Sequence, residues 1–146
     1  MSKEAPDHHD AELVLRVYEL RRDPVMRESR RSLLYDFWPQ SGDDVAALVK
    51  PDHPLNAAYR QVTTYWEMVY AMVRHGIVHA EYFLETNGEG LFVFAKLAPY
   101  LERLRAEQTP YVLRNAEWVA RECPPGQTIF ERTSARVKRL AEARKH

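Results

Sequence analysis

The chain has 146 residues, 45% of them hydrophobic, and its 21 acidic and 21 basic residues cancel to a formal charge of zero. This length predicts one ordinary domain, and the charge balance gives no reason to expect a nucleic-acid or anionic-membrane partner. No apolar run approaches the roughly 18 residues that a membrane span needs, and the N-terminus lacks the order of a secretory signal. We therefore expect a cytoplasmic protein without a membrane span.

The N-terminal segment is polar and shows no apolar periodicity. Residues 1–10 are predicted to form a flexible tail, and residues 11–146 a single helical domain. Helical periodicity begins with a helix predicted over residues 12–22. The side chains that it would turn inward are Leu13, Val17 and Leu20.

Two helix starts follow in the next part of the chain. Asp23 before Pro24 is a cap followed by a proline, which predicts a second helix that runs to residue 37. Ser41 with an acid three residues later, Asp44, predicts the N-terminus of a short third helix.

The longest regular pattern covers residues 54–76 and predicts a central helix. Its apolar residues recur at alternating spacings of four and three, which gives the helix a broad buried face. Pro54 suits a first helical turn, and Gly76 can take the left-handed conformation that ends a helix. The residues of the buried face are Leu55, Tyr59, Val62, Trp66, Val69 and Val73.

The C-terminal half predicts four further helical segments. These are residues 79–85, 91–107, 110–123 and a last helix from residue 128. Pro99 lies inside the second of them and predicts a kink, because proline removes a backbone hydrogen bond. No segment alternates strongly with a period of two. The predicted fold is therefore all-α, an irregular antiparallel bundle of about six to eight helices.

The chain contains the pair Trp66 and Glu67, the sequence Arg-His-Gly-Ile at residues 74–77, and a segment at residues 99–105 that begins with proline. In these three segments it resembles a bacterial family of small uncharacterised helical proteins. The resemblance covers roughly residues 59–121. It implies a helical fold, and it brings no reaction, cofactor or active site with it.

The candidate metal ligands and the candidate nucleophile lack the residue spacings that metal binding and catalysis require. His75 and His79 are four residues apart, but Gly76 lies between them at a predicted helix end, so no metal site is expected. Cys123 lies in an apolar helical register without a linked base, which predicts a buried structural thiol. The chain contains no phosphate-binding glycine motif, so we expect no cofactor, and the catalytic residues, if there are any, are unknown.

Glu67 flanks the buried face of the central helix. One interpretation is a solvated glutamate on the surface. The other is a half-buried carboxylate in an ion pair with an arginine of another helix, for which Arg105 is the candidate, because a buried carboxylate needs a partner. In either case the expected role is structural.

Five arginines lie within residues 21–31. Of these, Arg27, Arg30 and Arg31 have a helical spacing that would let them contact phosphate groups on one surface. A solvated, salt-bridged surface is the other interpretation. The zero net charge argues against nucleic acid as a partner.

The leading hypothesis for function is a non-catalytic helical protein-interaction module that self-associates, most simply as a homodimer. The alternatives are a small nucleic-acid-associated regulator that uses residues 21–31, an unlike protein partner, and an enzyme whose site forms only in three dimensions. The dimer is predicted from large aromatic residues at the edges of their helical stripes, which anchor interfaces when a monomer leaves them uncovered. They are Tyr18, Tyr35, Trp38, Tyr70, Phe92 and Trp118.

Overall fold

The computed structural model describes residues 3–145, and all regular structure in that range is helical. The predicted all-α fold is confirmed, with no strand among the described residues. A π-helical segment, Ser32–Asp36, continues α2, and a 3-10 turn, Ala98–Tyr100, joins α6 to α7. The helices are α1 (His8–Arg21), α2 (Pro24–Arg31), α3 (Gly42–Leu48), α4 (Asn56–Arg74), α5 (Ala80–Leu84), α6 (Glu89–Leu97), α7 (Leu101–Glu107), α8 (Arg114–Glu122) and α9 (Pro124–Arg144).

Helix α4 is the central helix, as the periodicity predicted. It packs against α2 on one side and α8 on the other. The helix begins at Asn56, two residues after Pro54, and the ring nitrogen Nδ1 of His53 accepts a hydrogen bond from the N–H of Leu55. Gly76 has φ 71°, so the predicted left-handed stop is confirmed. All six residues of the predicted stripe belong to the core or pack against it.

The first helix begins earlier than the periodicity indicated. Asp7 caps α1 by accepting hydrogen bonds from the N–H groups of His9 and Asp10, and the Asp10 carboxylate accepts one from the N–H of Asp7 in return. Residues 8–10, assigned to the tail by sequence, are therefore helical, whereas residues 1 and 2 of that tail and His146 lie outside the described residues. Leu20 was predicted to point inward, but it is exposed at the end of the helix.

The start of α2 is as predicted, whereas two other helix boundaries differ from the prediction at prolines. The cap at Asp23 is confirmed, because its side chain accepts hydrogen bonds from two N–H groups of the first turn of α2. The last helix begins at Pro124 rather than at residue 128, since prolines fit the first positions of a helix. Pro99 divides one predicted helix into α6 and α7, with the 3-10 turn between them.

One helix contact is very close. Tyr70 on α4 is completely buried and donates a hydrogen bond of 2.7 Å to the carbonyl oxygen of Asn87. A Cβ atom at Gly90 would lie 2.7 Å from the Tyr70 ring, so α6 can approach α4 here only with glycine. Tyr70, one of the six aromatic residues predicted to lie at the edge of a helical stripe, is therefore buried within the monomer.

Helix α9 closes the bundle by packing against α6 and α8, and also against α5. Its C-terminal half extends along the end of α6 and the loop after the π-helical segment. Within residues 3–145, no helix combines the length and the apolar composition that crossing a membrane requires.

Candidate functional site

A cleft of about 550 Å³ lies beneath the C-terminal half of α9. Its floor is the end of α6 with the 3-10 turn, where Pro99 stops the helix. Its second wall is the loop that begins at Trp38 and Pro39, where proline prevents the helical chain from continuing. We call this space the α9 cleft.

A buried lysine stands at the base of the α9 cleft. Lys96 on α6 is 5% exposed, and its Nζ atom donates hydrogen bonds to the carbonyl oxygens of Leu33 at 2.7 Å and Leu34 at 3.1 Å. These carbonyl groups lie near the end of the π-helical segment, where backbone acceptors lack helical partners. Burial, together with the positive charge of Arg144, lowers the pKa of Lys96 to about 7.

Trp38 connects Lys96 to the mouth of the cleft. The centre of its ring lies 4.1 Å from Lys96 Nζ and 4.3 Å from the guanidinium carbon of Arg144. Its indole N–H donates a hydrogen bond of 3.0 Å to the carbonyl oxygen of Tyr35, and its ring meets Phe92 edge-on. Both cations are therefore held by one fixed aromatic ring.

Helix α9 turns an apolar stripe towards the α9 cleft, with one hydroxyl group in it. Ser134, Val137 and Ala141 line the cleft from successive turns of the helix. The Oγ atom of Ser134 is buried and has no hydrogen-bond partner within residues 3–145. Among the described lining residues, five are basic and Glu142 is the only acidic one. The cleft therefore combines apolar walls with positive charge.

A second surface feature is the outer face of α1. Val17 faces the core at 3% exposed, whereas Leu15 and Tyr18 point outward and are 67% and 51% exposed. These two residues are three apart and so lie next to each other on the helix. The guanidinium groups of Arg21 and Arg22 stand 5.7 Å and 5.8 Å from the centre of the Tyr18 ring. We call Leu15 and Tyr18 the α1 outer face.

The structure places Glu67 at the start of α8. Its two carboxylate oxygens accept hydrogen bonds from the N–H groups of Asn115 at 3.1 Å and Ala116 at 2.8 Å. Burial raises the pKa of Glu67 against the effect of these bonds. The predicted partner, Arg105, instead pairs with Glu117 at 3.0 Å. Glu67 is half-buried, and its carboxylate caps the start of α8, which presents unpaired N–H groups to it, rather than pairing with Arg105.

The three arginines predicted to contact phosphate do not form one cationic site. Arg30 makes a two-pronged ion pair with Glu89, at 2.8 Å and 2.7 Å, and Arg31 pairs with Glu28 at 2.7 Å. Arg27 is exposed. A guanidinium group with both prongs on a carboxylate has little capacity left for phosphate.

The remaining candidate residues have structural surroundings. Cys123 is buried, and burial raises the pKa of its thiol. His79 caps α5 by accepting a hydrogen bond from the N–H of Tyr82, and His75 ends α4. No group of three or more metal-ligand side chains occurs within residues 3–145.

Sequence reasoning missed Lys96, although a signal was present. The segment Glu89–Leu97 reads EGLFVFAKL, so this lysine follows a run of apolar residues on the buried side of a helix. A lone lysine in such a position needs either a carboxylate or backbone carbonyl groups nearby. The Trp38 and Arg144 contact could not be found from sequence, because 105 intervening residues separate the two.

The family described as a domain of unknown function, DUF4760, matches residues 6–123. The match covers most of the chain, so the protein belongs to this family, and the predicted resemblance to an uncharacterised family is confirmed. Comparisons with curated proteins and with solved structures gave no match. The matched range ends at Cys123, so α9 and its wall of the cleft lie outside it.

Proposed function

We propose that this member of the DUF4760 family is a non-catalytic helical protein-interaction module that forms a homodimer through the α1 outer face. The observation that carries the proposal is the exposure of Leu15 and Tyr18 side by side on α1. The opposite side of α1 already contributes Val17 to the core. Adjacent large apolar side chains left at a helix surface are candidates for anchors of a protein interface.

The side chains around Tyr18 also suit an interface. Its ring lies within 6 Å of two guanidinium groups, those of Arg21 and Arg22. Tyrosine and arginine are common anchors of protein interfaces, because they bury much apolar area and keep a polar end. A two-fold axis beside α1 would let the same face meet its own copy, which is the commonest arrangement of a homodimer.

Support for a non-catalytic role comes from the partners of the potentially reactive groups. The Lys96 ammonium group is bonded to backbone carbonyls, and the Glu67 carboxylate is bonded to backbone N–H groups. Burial raises the pKa of the Cys123 thiol, which keeps it in the weakly nucleophilic protonated form. The side chains of Lys96 and Glu67 therefore already have backbone partners in the fold.

The test is the mass of the protein in solution, measured by sedimentation equilibrium at micromolar concentration. We expect twice the chain mass of 17.1 kDa. The double variant Leu15→Lys with Tyr18→Lys should sediment as the monomer with unchanged helix content. Tyr111→Lys is the matched control, because Tyr111 is 68% exposed but lies in the turn before α8. A monomeric wild-type protein, or a double variant that still dimerises, would refute the proposal.

A further inference from the structure

We propose that the α9 cleft binds a free organic anion with an apolar body, such as a medium-chain carboxylate. Its apolar part would lie between α6 and α9, and its charged end would be held by Ser134 and Arg144. This ligand site is separate from the α1 outer face and goes beyond the proposed interaction function.

The size and lining of the cleft fit such a molecule. A volume of about 550 Å³ is within the usual range of small-molecule sites. The walls are largely apolar, with Phe130, Val137 and Ala141 on α9 opposite Ala95 and Ala98. Apolar walls with a few placed polar groups are the common composition of ligand pockets, and the walls bind the ligand body by removing it from water.

The charge of the cleft favours an anion. Lys96 is buried at the base of the cleft, where its amino group donates hydrogen bonds to neutral carbonyl groups and lies over the face of Trp38. Among residues 3–145, no carboxylate forms an ion pair with it within 4.0 Å. Burial without a counter-ion disfavours the charged form of Lys96, and an anion that enters the cleft would stabilise that form by supplying a negative charge.

Two polar groups are placed to receive the charged end. Ser134 lines the cleft, and its Oγ atom is buried and has no hydrogen-bond partner within the described part of the chain. Buried hydroxyl groups normally have a partner, so a donor in this state indicates a position for a ligand atom. Arg144 is held over Trp38 and offers guanidinium N–H groups, which bond strongly to carboxylates.

The cleft depends on a part of the chain that the family match does not include. Helix α9 supplies Ser134 and Arg144, and it begins at Pro124, after the last matched residue. The floor with Lys96 lies inside the matched range. The site therefore forms where α9 covers the matched domain.

The first experiment is isothermal titration calorimetry of the full chain with decanoate, below the concentration at which decanoate forms micelles. We expect saturable binding of one decanoate per chain. Decanol and decyltrimethylammonium carry the same alkyl chain without the negative charge, and both should bind at least about tenfold more weakly, since a charge-assisted hydrogen bond accounts for that factor or more. Equal affinity for decanol and decanoate would overturn the proposal.

Variants then test the position of the site. Arg144→Gln and Ser134→Ala should each weaken decanoate binding by about tenfold. Thermal unfolding should be nearly unchanged by Ser134→Ala, because its hydroxyl group has no partner in the fold. A purely structural hydroxyl would show the opposite result, with stability lost and affinity kept.

Arg139→Gln is the matched control for charge. Arg139 is an exposed arginine on the same helix that lines a neighbouring surface rather than the α9 cleft. It should keep wild-type affinity for decanoate, whereas Ala141→Trp should abolish binding by filling the cleft. If Arg139→Gln weakens binding as much as Arg144→Gln, the attraction is unspecific and the proposed site is wrong. The double variant Leu15→Lys with Tyr18→Lys should bind decanoate with wild-type affinity. The binding test is therefore independent of whether the protein forms a dimer.

Discussion

Replacing Glu67 with alanine tests whether one carboxylate on α4 holds the start of α8. Leu113, the residue before α8, offers no side-chain cap. The N–H groups of Asn115 and Ala116 instead bond to the Glu67 carboxylate, at 3.1 Å and 2.8 Å. Both of these residues are buried. Alanine at position 67 would therefore leave two N–H groups of the first turn of α8 without a partner.

The expected loss follows from the cost of buried donors. An unsatisfied buried donor costs about 1 to 3 kcal/mol, so two donors could cost up to about 6 kcal/mol. Glu67 itself is half-buried, and water can enter the space that its side chain leaves. We therefore expect Glu67→Ala to lower the free energy of unfolding by about 2 to 4 kcal/mol. Glu67→Gln keeps one acceptor oxygen and should lose about half as much.

Urea unfolding followed by circular dichroism at 222 nm, a standard wavelength for helix content, measures this change. Glu102→Ala is the matched control, because Glu102 is an exposed glutamate in the first turn of α7, and its loss should cost less than about 0.5 kcal/mol. Hydrogen exchange should also quicken at Asn115 and Ala116 first. A loss below about 1 kcal/mol for Glu67→Ala would show that α8 does not depend on this cap.

Two further changes test the core and the N-terminal helix. Asp10 is buried, and although burial acts to raise its pKa, hydrogen bonds from Lys3 and from the N–H groups of His79 and Asp7 lower it to about 2. A carboxyl group whose pKa is lower in the folded state stabilises the protein above the unfolded pKa of about 4 and loses that effect as the pH falls towards 2. The midpoint of urea unfolding should therefore fall as the pH is lowered over that range. Asp10→Asn should lower the free energy of unfolding by about 1 to 2 kcal/mol at pH 7 and make the midpoint less dependent on pH. A variant whose midpoint depends on pH as steeply as that of the wild type would contradict the lowered pKa of Asp10. Trp66→Ala should cost about 3 to 5 kcal/mol in the same assay, since Trp66 is 2% exposed, and a cost under about 1 kcal/mol would place it outside the core.

The local patterns of the chain were sufficient to identify most helices. The stripe on α4 predicted a broad buried face, and Asp23 and Ser41 predicted helix starts that the structure contains. These signals are local because a cap bonds to N–H groups two or three residues away. They misplaced the start of α9, which was predicted at residue 128 although the helix begins at Pro124.

The sequence did not predict which groups of other helices the buried side chains contact. The sequence left two interpretations of Glu67 open, a solvated glutamate and a half-buried one paired with Arg105, and in the structure Arg105 pairs with Glu117 instead. Sequence reasoning also placed Tyr70 at the edge of the buried stripe, whereas Gly90 lets α6 approach close enough to bury it completely. Spacing along one helix does not tell which group of another helix will stand opposite.

By itself, the sequence determined the fold class and the position of the central helix, because helical periodicity and caps depend on residues a few positions apart. The tertiary structure alone decided that Lys96, Trp38 and Arg144 meet in one cleft, and that Tyr70 is covered by α6. The physical reason is that burial and electrostatic contacts depend on how helices distant in sequence pack together. That packing is a property of the whole chain and leaves no periodic signal in any single segment.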